Sequence, residues 1–288
     1  FDRDSVPLQN IFFFPVILMS FSVILAFFIG RLLAGDFAGY MAALVMGTQP
    51  ILLTKTVGGF PDTDVYPIFF ILLTTFFFLK SIQKQEAKNK DDEKWAVYLT
   101  YVYAGLAGIS AATFNLAYRQ GWWIVMFLIF GACGITLLGS WIILLFDVKF
   151  KKATKALWQE ETLRKLWLYP LLMLGVALIT ILVFRGPTLF KEQLQTFLLP
   201  FALTTSVDAV GQQGGSIWPN LYKSVAELSD LPFINIVRLL GDWVLFLVGL
   251  TGIGLLWKKY VTTRSKYIFL CASFITLWLA GSFYAASK

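Results

Sequence analysis

Residues 122–146 read WWIVMFLIFGACGITLLGSWIILLF and carry no charged side chain. About 20 consecutive apolar residues suffice to cross a bilayer as a helix. Lipid offers the backbone no hydrogen-bond partner, so such a run satisfies its own amides as a helix. Comparable runs recur on either side, at 7–33, 37–53, 66–82, 95–117, 166–184, 239–257 and 267–286. The chain of 288 residues is 58% hydrophobic and 14% charged, against about 25% charged for a soluble domain. The fold class is therefore all-α, a polytopic membrane helix bundle of about eight spans. The second and third runs are short, which suits a tilted or partly interfacial placement.

The charges that remain are grouped. Linkers 80–94, 147–165 and 258–266 hold 15 of the 24 Lys and Arg residues. The positive-inside rule assigns these linkers to the cytoplasm. Much of the net charge of +7 is thereby explained without a nucleic-acid partner. The alternation of spans then puts 55–65, 118–121 and the long loop 185–238 on the extracytoplasmic face. A multi-pass location follows, with membrane lipid as an obligatory neighbour; the plasma membrane is the expected one.

Both cysteines, Cys133 and Cys271, fall inside spans, which argues against a disulfide framework. There is no histidine. Chemistry at this membrane therefore has to use carboxylates, a metal or cations.

Acidic residues concentrate at one membrane edge in Gly58-Gly59-Phe60-Pro61-Asp62-Thr63-Asp64. Gly-Gly and Pro make a turn there. In an extended segment, D-x-D spacing points both carboxylates to one side. Two such oxygens suit a hard cation, Mg²⁺ or Mn²⁺, which can carry the charge of a departing phosphate. The competing explanation is capping of the following span by Asp62 or Asp64. Capping accounts for one Asp better than two.

Loop 185–238 is much longer than an ordinary connection, and long loops are commonly functional. Residues 194–203 are apolar and aromatic and suit a short interfacial helix. Gly211-Gln212-Gln213-Gly214-Gly215 is a hinge, and Trp218-Pro219-Asn220-Leu221-Tyr222-Lys223-Ser224-Val225-Ala226-Glu227 follows.

At these residues the chain resembles the catalytic subunit of oligosaccharyltransferase, above all its archaeal branch (AglB-like, with bacterial PglB-like relatives). Gly59-Phe60-Pro61-Asp62-Thr63-Asp64 is similar to the family's second-loop acidic motif. Trp218-Pro219-Asn220 with Ser224-Val225-Ala226-Glu227 is similar to its fifth-loop Ser/Thr–Val/Ile–x–Glu motif. Gly30-Arg31-Leu32-Leu33-Ala34-Gly35 resembles the stretch that precedes the acidic pair.

The resemblance implies a GT-C-type glycosyltransferase. Such an enzyme moves an oligosaccharide, with inversion, from a polyprenyl (dolichyl) phosphate or pyrophosphate to the Asn of Asn-x-Ser/Thr. It implies Asp62, Asp64 and Glu227 as catalytic and metal-binding carboxylates around Mn²⁺ or Mg²⁺. Lys55, Tyr118, Arg119, Trp122, Trp218, Asn220 and Ser224 are the expected substrate contacts. For Lys55 the alternative is a snorkelling lysine. For 118–123 the alternative is an interfacial aromatic belt. The expected partners are a lipid-linked oligosaccharide and an acceptor polypeptide, handled by a single subunit.

The resemblance also sets expectations about what the chain lacks. Residues 1–288 correspond to a partial transmembrane catalytic domain. The family's first external loop and its C-terminal soluble domain are absent, so the segment alone is expected to be inactive. Three rival classes remain: another GT-C enzyme using a polyprenyl-linked sugar, a transporter or channel, and a pure scaffold subunit. The transporter class favours broken helices and repeated halves, neither of which the sequence displays.

Overall fold

The computed structural model describes residues 7–49, 52–53, 65–83, 90–118, 122–147, 159–202, 237 and 242–286. Among these, eight long helices form and no strand does. They are α1 Pro7–Ala34, α2 Asp36–Thr48, α3 Val65–Ile82, α4 Lys90–Ala117, α5 Trp122–Asp147, α6 Glu161–Ala202, α7 Asp242–Thr263 and α8 Lys266–Ala286. Six of the eight contain a stretch long and apolar enough to cross a membrane. The other two are the 13-residue α2 and the apolar α8.

Helix boundaries follow local chemistry. Gly35 takes φ 90, a left-handed conformation that costs glycine nothing, and turns α1 back into α2. Arg31 and Asp36 pair across this turn at 2.7 Å, both largely exposed, so the pair adds little stability. At 13 residues α2 is shorter than the expected run 37–53. It ends at Thr48, Gln49 turns extended, and the amides of Leu52 and Leu53 close a short turn on the Gln49 carbonyl. At about 1.5 Å per residue, α2 alone does not reach across a hydrocarbon core.

Among the described residues, two basic linkers contribute turns of helix. Helix α4 starts at Lys90, inside linker 80–94. Helix α7 runs to Thr263 and leaves only Arg264 and Ser265 between it and α8. Lysine is a good helix former, so a charged run past the end of an apolar span extends the helix into the headgroup layer.

Packing partners give the bundle a clear order. Helix α1 packs on α2 and α3, α3 on α4, α4 on α6, α6 on α5, α5 on α8, and α8 on α7. The main core lies among α3, α4, α5 and α6, around Phe78, Phe114, Trp122, Met126, Leu166, Tyr169 and Met173. The outer face of α7 is apolar and exposed at Val244, Leu247, Val248, Leu255 and Val261, which suits lipid.

Between apolar helices lipid supplies little hydrophobic drive, so small residues and interhelical hydrogen bonds matter more. Thr74 of α3 bonds Ser110 of α4 at 2.9 Å, and Thr100 of α4 bonds Tyr169 of α6 at 2.7 Å. Glycines let backbones touch. A Cβ at Gly30 would lie 2.6 Å from the Ala38 carbonyl oxygen, and one at Gly39 2.8 Å from that of Phe27. Gly39→Leu is expected to part α1 from α2 and cost about 2 kcal/mol. The thermal midpoint in detergent should fall accordingly, whereas Gly249→Leu, at an open position, should leave it in place.

Candidate functional site

Contacts fix which helix ends lie together. Phe70, near the start of α3, stacks on Phe114, near the end of α4, at 5.7 Å. Phe77 meets Tyr103 further along, so α3 and α4 run antiparallel. Helices α4 and α6 run parallel: Thr100 meets Tyr169, Gly108 meets Met173, and Leu116 meets Arg185. Phe14 packs against Tyr66 and Phe28 against Phe76, so α1 runs parallel to α3. Gly131 faces Leu277 and Gly139 faces Phe269, which sets α5 antiparallel to α8. Trp257 bonds Thr276 while Tyr260, further along α7, stacks on Phe269 at 4.4 Å, which does the same for α7 and α8.

One end of the bundle therefore gathers the start of α3, the end of α4, the start of α5, the Arg185 region of α6 and the start of α7. The other end gathers the end of α3, the start of α4, the end of α5, the start of α6 and the α7–α8 turn, with the described basic residues Lys80, Lys90, Lys94, Arg164, Lys165, Lys258, Lys259, Arg264 and Lys266. The segregation of charge expected from the sequence is thus matched by the packing of the helices.

Asp62, Asp64, Glu227, Lys55, Arg119, Trp218, Asn220 and Ser224 lie outside the described residues. The described frame shows what they attach to. Asp64 directly precedes Val65, the first residue of α3, which is fully buried against Leu18 and Met19. The acidic pair therefore joins a helix start pinned in the core. At the same end, the Tyr118 amide closes on the Phe114 carbonyl at 2.7 Å, and its half-buried ring stacks on Phe114 at 6.2 Å. Phe70, Phe114 and Tyr118 form an aromatic ladder linking the acidic-pair end of α3 to the turn after α4.

Trp122 departs from expectation. It is 1% exposed and belongs to the main core. Its ring seats the start of α5 inside the bundle and is not available to a substrate in this conformation. Trp123 is half-buried, packs against the same core and meets Phe127 edge-on at 5.7 Å.

The apolar span gives way at Gly186, and segment 185–238 opens with a helical stretch that takes in most of the short helix expected at 194–203. Helix α6 continues to Ala202, with one break at Gly186 (φ 73, ψ 171), and so includes the apolar stretch from 194. Glycine takes the left-handed conformation without strain, which lets the helix change direction just past the apolar span. After the break Phe190 packs back against the main core.

By its position in the sequence, Arg185 suits either a lipid-phosphate contact or an ordinary helix end. Its Nη2 donates to the carbonyls of Leu116 at 3.0 Å and Asn115 at 3.4 Å, in the last turn of α4. Those oxygens sit in the last turn of α4, at the negative end of its dipole, where a cation is favoured. Nothing in the local sequence announces this pairing, because the partners are about 70 residues away.

Among the described residues, no three Asp, Glu, Cys or His converge as a metal site. Cys133 and Cys271 are free and buried.

The comparisons with known proteins cover nearly the whole of this frame. A family model described as oligosaccharyl transferase STT3, N-terminal, matches residues 5–288. The chain belongs to this family. It is 28% identical over 303 residues to the dolichyl-phosphooligosaccharide-protein glycotransferase of Methanococcus voltae, covering 99% of this chain and 31% of that protein. It is 24% identical over 331 residues to the protein of the same name from Methanocaldococcus jannaschii, covering 96% and 35%. The chain thus spans about a third of the length of these curated relatives.

The archaeal oligosaccharyltransferase AglB from Archaeoglobus fulgidus, solved with an inhibitory peptide and a dolichol-phosphate, has a similar fold. Its TM-score is 0.56 at 15% identity, over 97% of this chain and 36% of that one. The STT3-family chain described here is an integral membrane protein whose helices follow the transmembrane architecture of that neighbour.

Proposed function

We propose that this chain is part of the catalytic subunit of an archaeal-type oligosaccharyltransferase. It moves an oligosaccharide from a dolichyl or other polyprenyl phosphate or pyrophosphate to the amide nitrogen of Asn in Asn-x-Ser/Thr, inverting the anomeric carbon. The observation that carries this is the family match across residues 5–288. The names of both archaeal relatives agree with it.

Chemistry supports the assignment of parts. An amide nitrogen is a poor nucleophile because its lone pair is delocalised into the carbonyl. Carboxylates that accept hydrogen bonds from the amide N–H groups hold it ready for attack, while a cation offsets charge on the departing phosphate. Asp62, Asp64 and Glu227 supply an all-oxygen donor set in a chain without histidine, which fits Mn²⁺ or Mg²⁺. Asp64 abuts the buried start of α3, and Glu227 lies on the chain between α6 and α7. Lys55, Tyr118, Arg119, Trp218, Asn220 and Ser224 are assigned to donor and acceptor contacts. The basic stretches face the cytoplasm of a plasma membrane and the site faces outward. A single subunit carries out the transfer.

Membranes containing the full-length protein, a dolichyl-linked donor and a fluorescent Asn-x-Thr peptide test this. Glycopeptide should form, disappear with a chelator, and return when Mn²⁺ is added in excess. Transfer that is insensitive to chelation would remove the metal from the proposal. Transfer to a sugar acceptor instead of the peptide would replace the acceptor class.

A further inference from the structure

We propose that the α7–α8 corner binds an anionic phospholipid. Its headgroup meets Lys258, Lys259, Arg264 and Lys266, and its chains lie along the exposed face of α7. The inference does not depend on the transferase reading.

Charge at this corner is not neutralised. Residues 258–266 hold four cations, and no Asp or Glu follows Asp242 in the sequence. Linker 80–94 sets five Lys against four acids, and linker 147–165 sets six basic residues against three acids. Lys165 there spends its charge on Glu161 at 2.7 Å. Among the described residues, none of the four corner cations has an ion-pair partner. Lys258, Lys259 and Arg264 are exposed and Lys266 is half-buried. Asp147 ends α5, which packs antiparallel to α8, and that single carboxylate can offset one charge of the four. Helix dipoles do not account for the cluster either. The last turn of α7 holds no basic residue, and Lys266 stands at the start of α8, the end where the dipole disfavours a cation.

The cations stand on a held frame. Arg264 takes φ 53, its amide closes on the Tyr260 carbonyl at 2.7 Å, and α7 gives way to α8 within two residues. Beneath the turn, Tyr260 stacks on Phe269, Trp257 meets the same ring edge-on at 5.5 Å, and Trp257 Nε1 donates to Thr276 at 3.1 Å. Gathering an anion here therefore costs little backbone ordering. The occupant follows from what adjoins the charge. Val244, Val248 and Leu255 are 72%, 62% and 59% exposed. They repeat at helical spacing on one face, and Lys258 and Lys259 follow Leu255 on that face at three and four residues. From Val248 to Lys258 the helix rises about 15 Å, half of a hydrocarbon core. Cations above one leaflet's depth of apolar helix match a phosphate above an acyl chain. A soluble anion would use only the upper half of this surface.

The test uses the full-length protein with Thr262→Cys, an exposed position, labelled with bimane while Cys133 and Cys271 are buried. It is reconstituted in phosphatidylcholine vesicles with a fixed fraction of either phosphatidylglycerol or phosphatidylcholine that carries a nitroxide near the headgroup end of one chain. Nitroxide-labelled phosphatidylglycerol should quench bimane about threefold more effectively than the phosphatidylcholine probe. Changing Lys258, Lys259, Arg264 and Lys266 together to Gln should abolish the preference. Lys258→Gln with Lys259→Gln, both exposed, should roughly halve it and serves if the fourfold variant fails to fold. Lys80→Gln, Lys90→Gln and Lys94→Gln together should leave it in place.

Equal quenching by the two lipids, or a preference that survives loss of the corner cations, would overturn the proposal. So would an equal loss in the Lys80, Lys90 and Lys94 variant, because the preference would then be a diffuse effect of surface charge. Inorganic phosphate exchanged for chloride at matched ionic strength should not change the quenching ratio. If phosphate abolishes the preference, the corner takes the free anion and the lipid is rejected.

Discussion

Asp62→Asn and Glu227→Gln, each made in the full-length protein, are expected to lower peptide glycosylation by about a thousandfold without loss of expression. Each change keeps the size of the side chain and removes its charge, so packing is hardly disturbed. What is lost is an anionic oxygen that can both bind a hard cation and accept a hydrogen bond from the acceptor amide. On the proposed metal site, losing either carboxylate would weaken cation binding, so excess Mn²⁺ should recover part of the activity in each variant. The Ncap position before Val65 is Asp64, so if the acidic pair only capped α3, Asp64→Ala would cost about 1 kcal/mol of stability and leave transfer intact. The buried start of α3 at Val65 makes this comparison sharp, because a cap defect there would register in the thermal midpoint. Transfer and midpoint measured together separate the two roles.

The spans were legible because apolar composition alone dictates helices in lipid, and residues 66–82, 122–146 and 267–286 reappear almost unchanged as α3, α5 and α8. Helix ends were less legible where charge and apolarity part company. Lys90-Asp91-Asp92-Glu93-Lys94 reads as a linker by charge and is helical in α4. Lys258 and Lys259 continue α7 in the same way.

Two features of the site region could not be read from sequence at all. Trp122, placed at a membrane edge, has the composition of an interfacial aromatic; only the packing of α5 against its neighbours shows that it is buried. Arg185 stands at the end of an apolar run, as snorkelling arginines do. Its carbonyl partners come from another helix and have no side-chain signature. The acidic motifs stood out because D-x-D beside Gly-Gly and Pro is a local pattern.

Gly108→Val should be the most damaging single change in the described bundle. A Cβ at Gly108 would sit 2.5 Å from the Met173 carbonyl oxygen and 2.9 Å from the Val176 Cβ. The first contact is with backbone, so no rotamer change relieves it, and α4 must move away from α6. Two interactions between the same helices depend on that spacing: Thr100 to Tyr169 at one end, and Arg185 to the α4 carbonyls at the other. Overpacking of this kind costs about 3 kcal/mol before those hydrogen bonds are counted. Lipid supplies little hydrophobic force to hold the pair together once close contact is lost. Gly105 lies three residues earlier on α4, and a Cβ there would meet nothing within 4 Å, so Gly105→Ala should be neutral or slightly stabilising. Unfolding in detergent, followed by tryptophan fluorescence, should therefore show a lowered midpoint for Gly108→Val and none for Gly105→Ala. Equal midpoints for the two variants would mean that the α4–α6 contact is not the tight backbone-to-backbone packing that carries Arg185 to the end of α4.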